Sequence, residues 1–181
     1  MHPGAWLAGV ALLALGAGLA PAMPPTSPAA RAALQLCHEA ESVEATERDW
    51  LWSQGVVLAE HALQRNPDDP VAHFGVFCNL GKRAATTGLR PSTLALAPRL
   101  RFHIEQALAL APDWPEALAA RGAFLASLPA ILGGDVAEGE RLLRRALALD
   151  PANALTRREL ARLLREQGRD AEAEAVLAPT N

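Results

Sequence analysis

The chain has 181 residues, of which 50% are hydrophobic and 20% charged, enough for one domain with a real core and too apolar for wholesale disorder. Its formal net charge of -3 leaves no basic excess to hold a phosphate backbone, so nucleic acid is not an expected partner. Tyrosine is absent and alanine and leucine dominate, a balance that favours helices over strands.

The chain opens on a segment that reads as an export signal, residues 1–22. Ala5 to Ala20 carry no charge. As a helix this run would reach about 24 Å, short of the ~30 Å hydrocarbon core of a bilayer. Ala20-Pro21-Ala22 places small residues where a signal peptidase reads them, so cleavage is expected after Ala22. Met1 to Gly4 lack the usual Lys or Arg, and an uncleaved amino-terminal anchor is the alternative. The mature chain has no expected membrane insertion. Residues 23–27, Met-Pro-Pro-Thr-Ser, read as a short stiff linker. Residues 28–179 read as one helical array.

Caps and breakers divide that array into eight helices. The first starts at Ser27-Pro28 and runs to about Ala45. The second starts near Thr46, with Asp49 three residues later, and ends before Pro67. The third runs from Pro70 to about Arg83. The fourth ends before Pro112, with its start blurred by Pro91 and Pro98. The fifth covers Trp114 to Ser127. Asp135 caps the sixth, with Glu138 completing a capping box. The seventh follows Asn153, and the eighth spans Asp170 to Leu177.

Three segments repeat one message: Ala62-Leu63 to Pro67, Ala107-Leu108 to Pro112, and Ala146-Leu147 to Pro151. Each alanine is small enough for two helices to approach closely. The proline five residues on cannot continue the helix and ends it. Asp69, Asp113 (with Glu116 three residues on) and Asn153 then cap the following helices.

This pattern resembles the tetratricopeptide repeat, a pair of antiparallel helices in 34 residues. Pro67, Pro112 and Pro151 stand 45 and 39 residues apart, so the units carry insertions. The resemblance implies an all-α, tetratricopeptide-like α-solenoid of about four helical hairpins. It places Leu160, Ala161 and Leu164, then Ala173 and Leu177, at the alternating large and small packing positions of the last unit. Gly122 takes the small position of the unit before. The loop Ser127-Leu128-Pro129-Ala130-Ile131-Leu132-Gly133-Gly134-Asp135 is similar to one in two groups of such proteins. One is the regulator of microtubule dynamics family; the other is the periplasmic helper subunit of tripartite ATP-independent (TRAP) transporters. Ala72-His73-Phe74 and His103 to Leu108 resemble the first group further.

No catalytic constellation stands out. His2, His38, His61, His73 and His103 show no metal-ligand spacing, and no GxSxG, P-loop or GxGxxG occurs. Gly133-Gly134 reads as a turn that permits positive φ. No cofactor, metal or catalytic residue is expected. Cys37 and Cys78, 41 residues apart, read either as small core residues or as one disulfide, which an oxidising compartment would permit. First helices of successive hairpins are neighbours in such an array, which favours an approach of the two.

The partner-binding reading rests on the repeat register. Arg158, Arg162 and Arg165 share one helical face, and the resemblance turns that face toward the concave groove. There guanidinium groups would hold a carboxylate. Phe74 and Cys78, then Ala119, Ala123 and Ala126, fall at the corresponding upstream positions. The expected groove is apolar and small-lined in the middle and basic at one end. The function expected is an exported, periplasmic adaptor for a protein or peptide, either a transporter-associated helper or an assembly chaperone. The alternative is a structural solenoid that builds a homo-oligomer.

Overall fold

A computed structural model describes residues 23–88 and 90–178; the apolar run and the Ala22 junction lie outside the described residues. The described residues form an α-solenoid without strands. Its elements are α1 (Pro28–Glu39), α2 (Ala45–Arg65), α3 (Pro70–Thr87), the one-turn α4 (Pro91–Leu94), α5 (Ala97–Leu110), α6 (Pro115–Ser127), α7 (Val136–Leu149), α8 (Ala154–Glu166) and α9 (Asp170–Leu177). Apart from α4, these are the eight expected helices. They pair as four hairpins: α1 with α2, α3 with α5, α6 with α7, and α8 with α9.

Three corners between hairpins are built alike. At the end of α2, α5 and α7 the amides of Asn66, Ala111 and Asp150 each donate to the carbonyl of the repeat alanine, Ala62, Ala107 and Ala146, at 2.9 Å. The corner residues share one backbone conformation, with φ of -141°, -139° and -134°. Asp69, Trp114 and Asn153 then donate back to the corner residue at 3.2–3.3 Å. The internal repeat of the sequence is thus one turn geometry used three times.

The caps agree with the sequence at two of these corners and not at the third. Asp69 accepts from the amides of Val71 and Ala72 at 3.0 Å, and Asn153 from Thr156 at 3.0 Å. Asp113 does not cap α6; the residue at that position is Trp114, which has no capping side chain. The Asp113 carboxylate instead pairs with Arg145 of α7, and Glu116 turns away to another helix. Asp135 caps α7 at 3.0 Å, but Glu138 closes no capping box because Arg141 takes both of its oxygens at 2.6 Å. α1 stops at Glu39, where a short 3-10 turn (Ala40–Ser42) redirects the chain. The linker is also more than a spacer. Thr26 donates to Asp69 at 2.8 Å and the Ser27 amide at 3.0 Å, clamping the chain to the α2–α3 corner.

Small residues set how closely the helices meet. Ala62, Ala107, Ala146, Ala161 and Ala173 are all buried, as the register requires. On the first three helices Gly75 faces the methyl groups of Ala33 and Ala59; a Cβ there would sit 3.2–3.3 Å from them. Asn79, fully buried, donates to the carbonyls of Ala33 (2.9 Å) and Gly75 (2.8 Å), and its amide lies against Gly55. α6 and α7 cross backbone to backbone: a Cβ on Gly122 would lie 2.8 Å from the Gly139 carbonyl, and one on Gly139 would lie 2.7 Å from that of Gly122. In the connecting loop Gly133 adopts φ +79°, while Gly134 is excluded from bearing a side chain by the Leu128 carbonyl.

Gly122→Leu is therefore expected to destabilise the array by about 1–3 kcal/mol through overpacking. Gly81→Ala, whose added methyl would meet only ordinary contact at 3.7 Å, is expected to leave stability unchanged or slightly raised. Parallel thermal melts decide this, and a Gly122→Leu melt at the wild-type temperature would contradict the close crossing.

Candidate functional site: the cleft between the inner helices

The inner helices do not close against each other uniformly. α1 and α3 meet through Ala33, Gly75 and a covalent link: Cys37 and Cys78 form a disulfide with Cα atoms 6.1 Å apart. Both sulfur-bearing residues are buried, so the bridge also serves as core. Between α3 and α6 the facing residues are large. Phe74 stacks its ring edge-on to Trp114 at 4.7 Å, and Phe77 meets Phe124 at 5.6 Å and 89°. Such edge contacts hold two helices apart rather than letting their backbones touch. A cleft of about 1120 Å³ opens there.

The middle of the cleft is apolar. α3 supplies Phe74, Phe77 and Cys78; α6 supplies Ala119, Ala120, Ala123 and Phe124. Phe74 and Cys78 are nearly closed off, whereas Ala119, Ala120 and Ala123 remain half-exposed and form the accessible wall. Ala126, expected on the same face, instead packs with the last hairpin and beneath Gly139.

The far end of the cleft is formed by α8, where the expected arginine stripe is divided. Arg158 and Arg162 line the cleft; Arg165 does not. Seven residues separate Arg158 from Arg165, about 10.5 Å along a helix axis, and that distance carries Arg165 past the cleft. Arg162 is not a free cation either. It bonds both oxygens of Glu159 and also Glu166, and those carboxylates, Glu159 above all, raise its pKa further. With Asp150 and Glu159 also in the lining, the end is mixed in charge rather than basic. Arg158 is exposed and makes no ion pair among the described residues, so it alone of the three is a free donor in the cleft.

At the near end the charges also compensate one another. Lys82 pairs with Glu41, and His38 of α1 bonds Glu116 of α6 at 2.7 Å. Neither contact has a local sequence signature. Phe77, three residues after Phe74 on the same helical face, was legible in principle from spacing.

His73 and His103 are structural. His73 Nε2 lies 2.9 Å from the Pro67 carbonyl, which can only accept, so this nitrogen carries the proton. His73 Nδ1 then accepts from His103 Nδ1 at 3.0 Å, and the pair fastens α5 to α3 and the corner before it. Burial, the His73 ring and Arg99 push the His103 pKa down to about 4. No group of three His, Cys, Asp or Glu side chains is placed to hold a metal among the described residues, and none of their helices is long and apolar enough to cross a membrane.

Residues 130–181, which contain α7, α8 and α9, match the family model for the tetratricopeptide repeat. Among solved structures, a thermophilic TPR protein of Thermus thermophilus aligns with 80% of this chain and 88% of its own, at 21% identity and a TM-score of 0.42. No curated protein matches the sequence.

His103 yields a pH prediction. Its folded pKa lies below the ordinary 6.5, so the unfolded chain binds the proton more readily. The contribution is whole above pH 6.5 and is lost as pH falls toward about 4. Wild-type stability should drop over that window by an amount on the order of 1–3 kcal/mol more than that of His103→Phe. Denaturant melts at several pH values check this; parallel pH profiles for the two proteins would contradict it.

Proposed function

We propose that the protein is an exported adaptor that binds a peptide segment of another protein in the cleft between α3 and α6. The observation that carries this is the cleft itself: an apolar floor of aromatic and alanine side chains, open to solvent, with the free Arg158 at one end. Its volume of about 1120 Å³ exceeds the roughly 300–1,000 Å³ of pockets that enclose small ligands. Stacked helical pairs characteristically present such concave surfaces to partners. The carboxy-terminal match to the tetratricopeptide family supports binding over catalysis. Apolar side chains of the bound segment occupy the wall of Ala119, Ala120 and Ala123, and a carboxylate of the segment meets the Arg158 fork.

Two observations support export. The uncharged run before Ala22 has the form of a signal, and a buried disulfide suits an oxidising compartment. Within exported repeat proteins, the Leu128-Pro129 to Gly133-Gly134-Asp135 loop supports a helper of a TRAP-type transporter ahead of an assembly chaperone. The cytoskeletal role of the regulator of microtubule dynamics family does not fit an exported chain.

Arg158→Glu should weaken capture of the partner while the fold stays intact, because an exposed substitution shifts stability by less than about 0.5 kcal/mol. Arg165→Glu, outside the cleft, should not. Pull-downs from envelope extract with wild type and both variants measure this. Equal recovery of the same partner by all three would contradict a carboxylate contact at Arg158.

A further inference from the structure

In a stacked array each repeat ordinarily touches only its neighbours. The bond between His38 and Glu116 breaks that pattern. It joins α1 of the first hairpin to α6 of the third, 78 residues apart in sequence, at 2.7 Å. Among the described residues no other hydrogen bond or ion pair links these two hairpins. Both residues line the cleft, so the bond passes in front of α3 and ties one rim to the other. Both side chains are also open to water, at 55% and 38% exposure, so the tie can open without disturbing the core.

We propose that the His38–Glu116 pair is a pH-sensitive strap that sets the width of the cleft mouth and thereby controls entry to it. The proposal rests on the cleft being the binding site. The strap is strongest with His38 protonated, when the bond is charge-assisted. Glu116 is the main influence, accepting the bond and raising the pKa of His38; partial burial opposes it, Glu41 on the adjoining turn adds to it, and Lys82 on α3 opposes it. Above the raised pKa the imidazole is neutral, the ion-pair attraction is lost and only a weaker N–H to carboxylate bond is left, so α1 and α6 separate more readily. The cleft is narrow under acidic conditions and open under alkaline ones. The corners and small-residue crossings hold each hairpin rigid, so a change at the rim is taken up between hairpins rather than within them.

Two measurements on the full mature chain test this. In an NMR titration from about pH 5.5 to 9, the His38 ring should titrate above 6.5. The Trp114 indole and Phe124 amide, which lie in the cleft but carry no titrating group, should shift with the same midpoint. In Glu116→Gln the His38 midpoint should fall toward 6.5 and the cleft signals should stop following it. Binding of Nile red, an uncharged dye, should strengthen about two- to fivefold as pH rises through the His38 midpoint, the range that an exposed ion pair supplies. It should stay at the higher value throughout in His38→Gln and Glu116→Gln. Cleft signals that titrate identically in wild type and Glu116→Gln, or dye binding with the same pH profile in all three proteins, would overturn the strap. Dye that binds at no pH would overturn the cleft as an apolar site, and the NMR titration would still decide the strap.

Discussion

The distance between neighbouring helices governs this structure, and the side chain at each crossing sets that distance. Where glycine and alanine meet, helices approach closely: at Gly75 until its backbone is against the methyl groups of Ala33 and Ala59, and at Gly122 and Gly139 until only backbone separates the two helices. Close packing there makes the first three helices one block and α6 with α7 another. Between α3 and α6 the chain places phenylalanines and a tryptophan instead, and their edge-on contacts keep those helices apart. The cleft follows from that single change in side-chain size along an otherwise tight stack. A cleft formed in this way is held by the frame itself, which would spare a bound segment the cost of ordering it.

The rigidity of the frame comes from the corners. A proline cannot donate a helix bond, so each outer helix stops, and the amide of the residue just before the proline returns to the repeat alanine. Three such corners share nearly the same φ, so each outer helix hands the chain to the next hairpin through the same turn. The Cys37–Cys78 bridge adds a covalent tie between the first two inner helices, and Asp69 anchors the chain that precedes α1. The frame therefore leaves the α3–α6 gap, with His38 and Arg158 on its rim, as the place where adjustment costs least.

Much of the frame was legible in the sequence, because a repeated Ala-Leu to proline phrase specifies a corner using residues close together in the chain. The small positions Ala62, Ala107 and Ala146 belong to that phrase, whereas Gly122, Ala161 and Ala173 were given by the resemblance to the tetratricopeptide register. The site was less legible. Glu116 looked like the partner of Asp113 in a capping box for α6, yet it reaches α1, a partner that no local spacing announces. Arg162 looked like a cleft donor, although Glu159 and Glu166 stand at the three- and four-residue spacings that pair charges on one helix. Arg165 shares the face of Arg158 but not its height, and periodicity reports the first and not the second. Gly139 has no signature of its own; its role appears only when Gly122 is laid across it.

The proposed function places partner binding on the α3–α6 cleft and not on the outer helices. Site-specific photo-crosslinking in living cells tests it most directly, with a photoreactive phenylalanine analogue placed at Ala123 in the cleft or at Val57, which is 58% exposed on the outer helix α2. A defined crosslinked partner is expected from position 123 and none from position 57. Crosslinking from position 57 with nothing captured at 123 would contradict it.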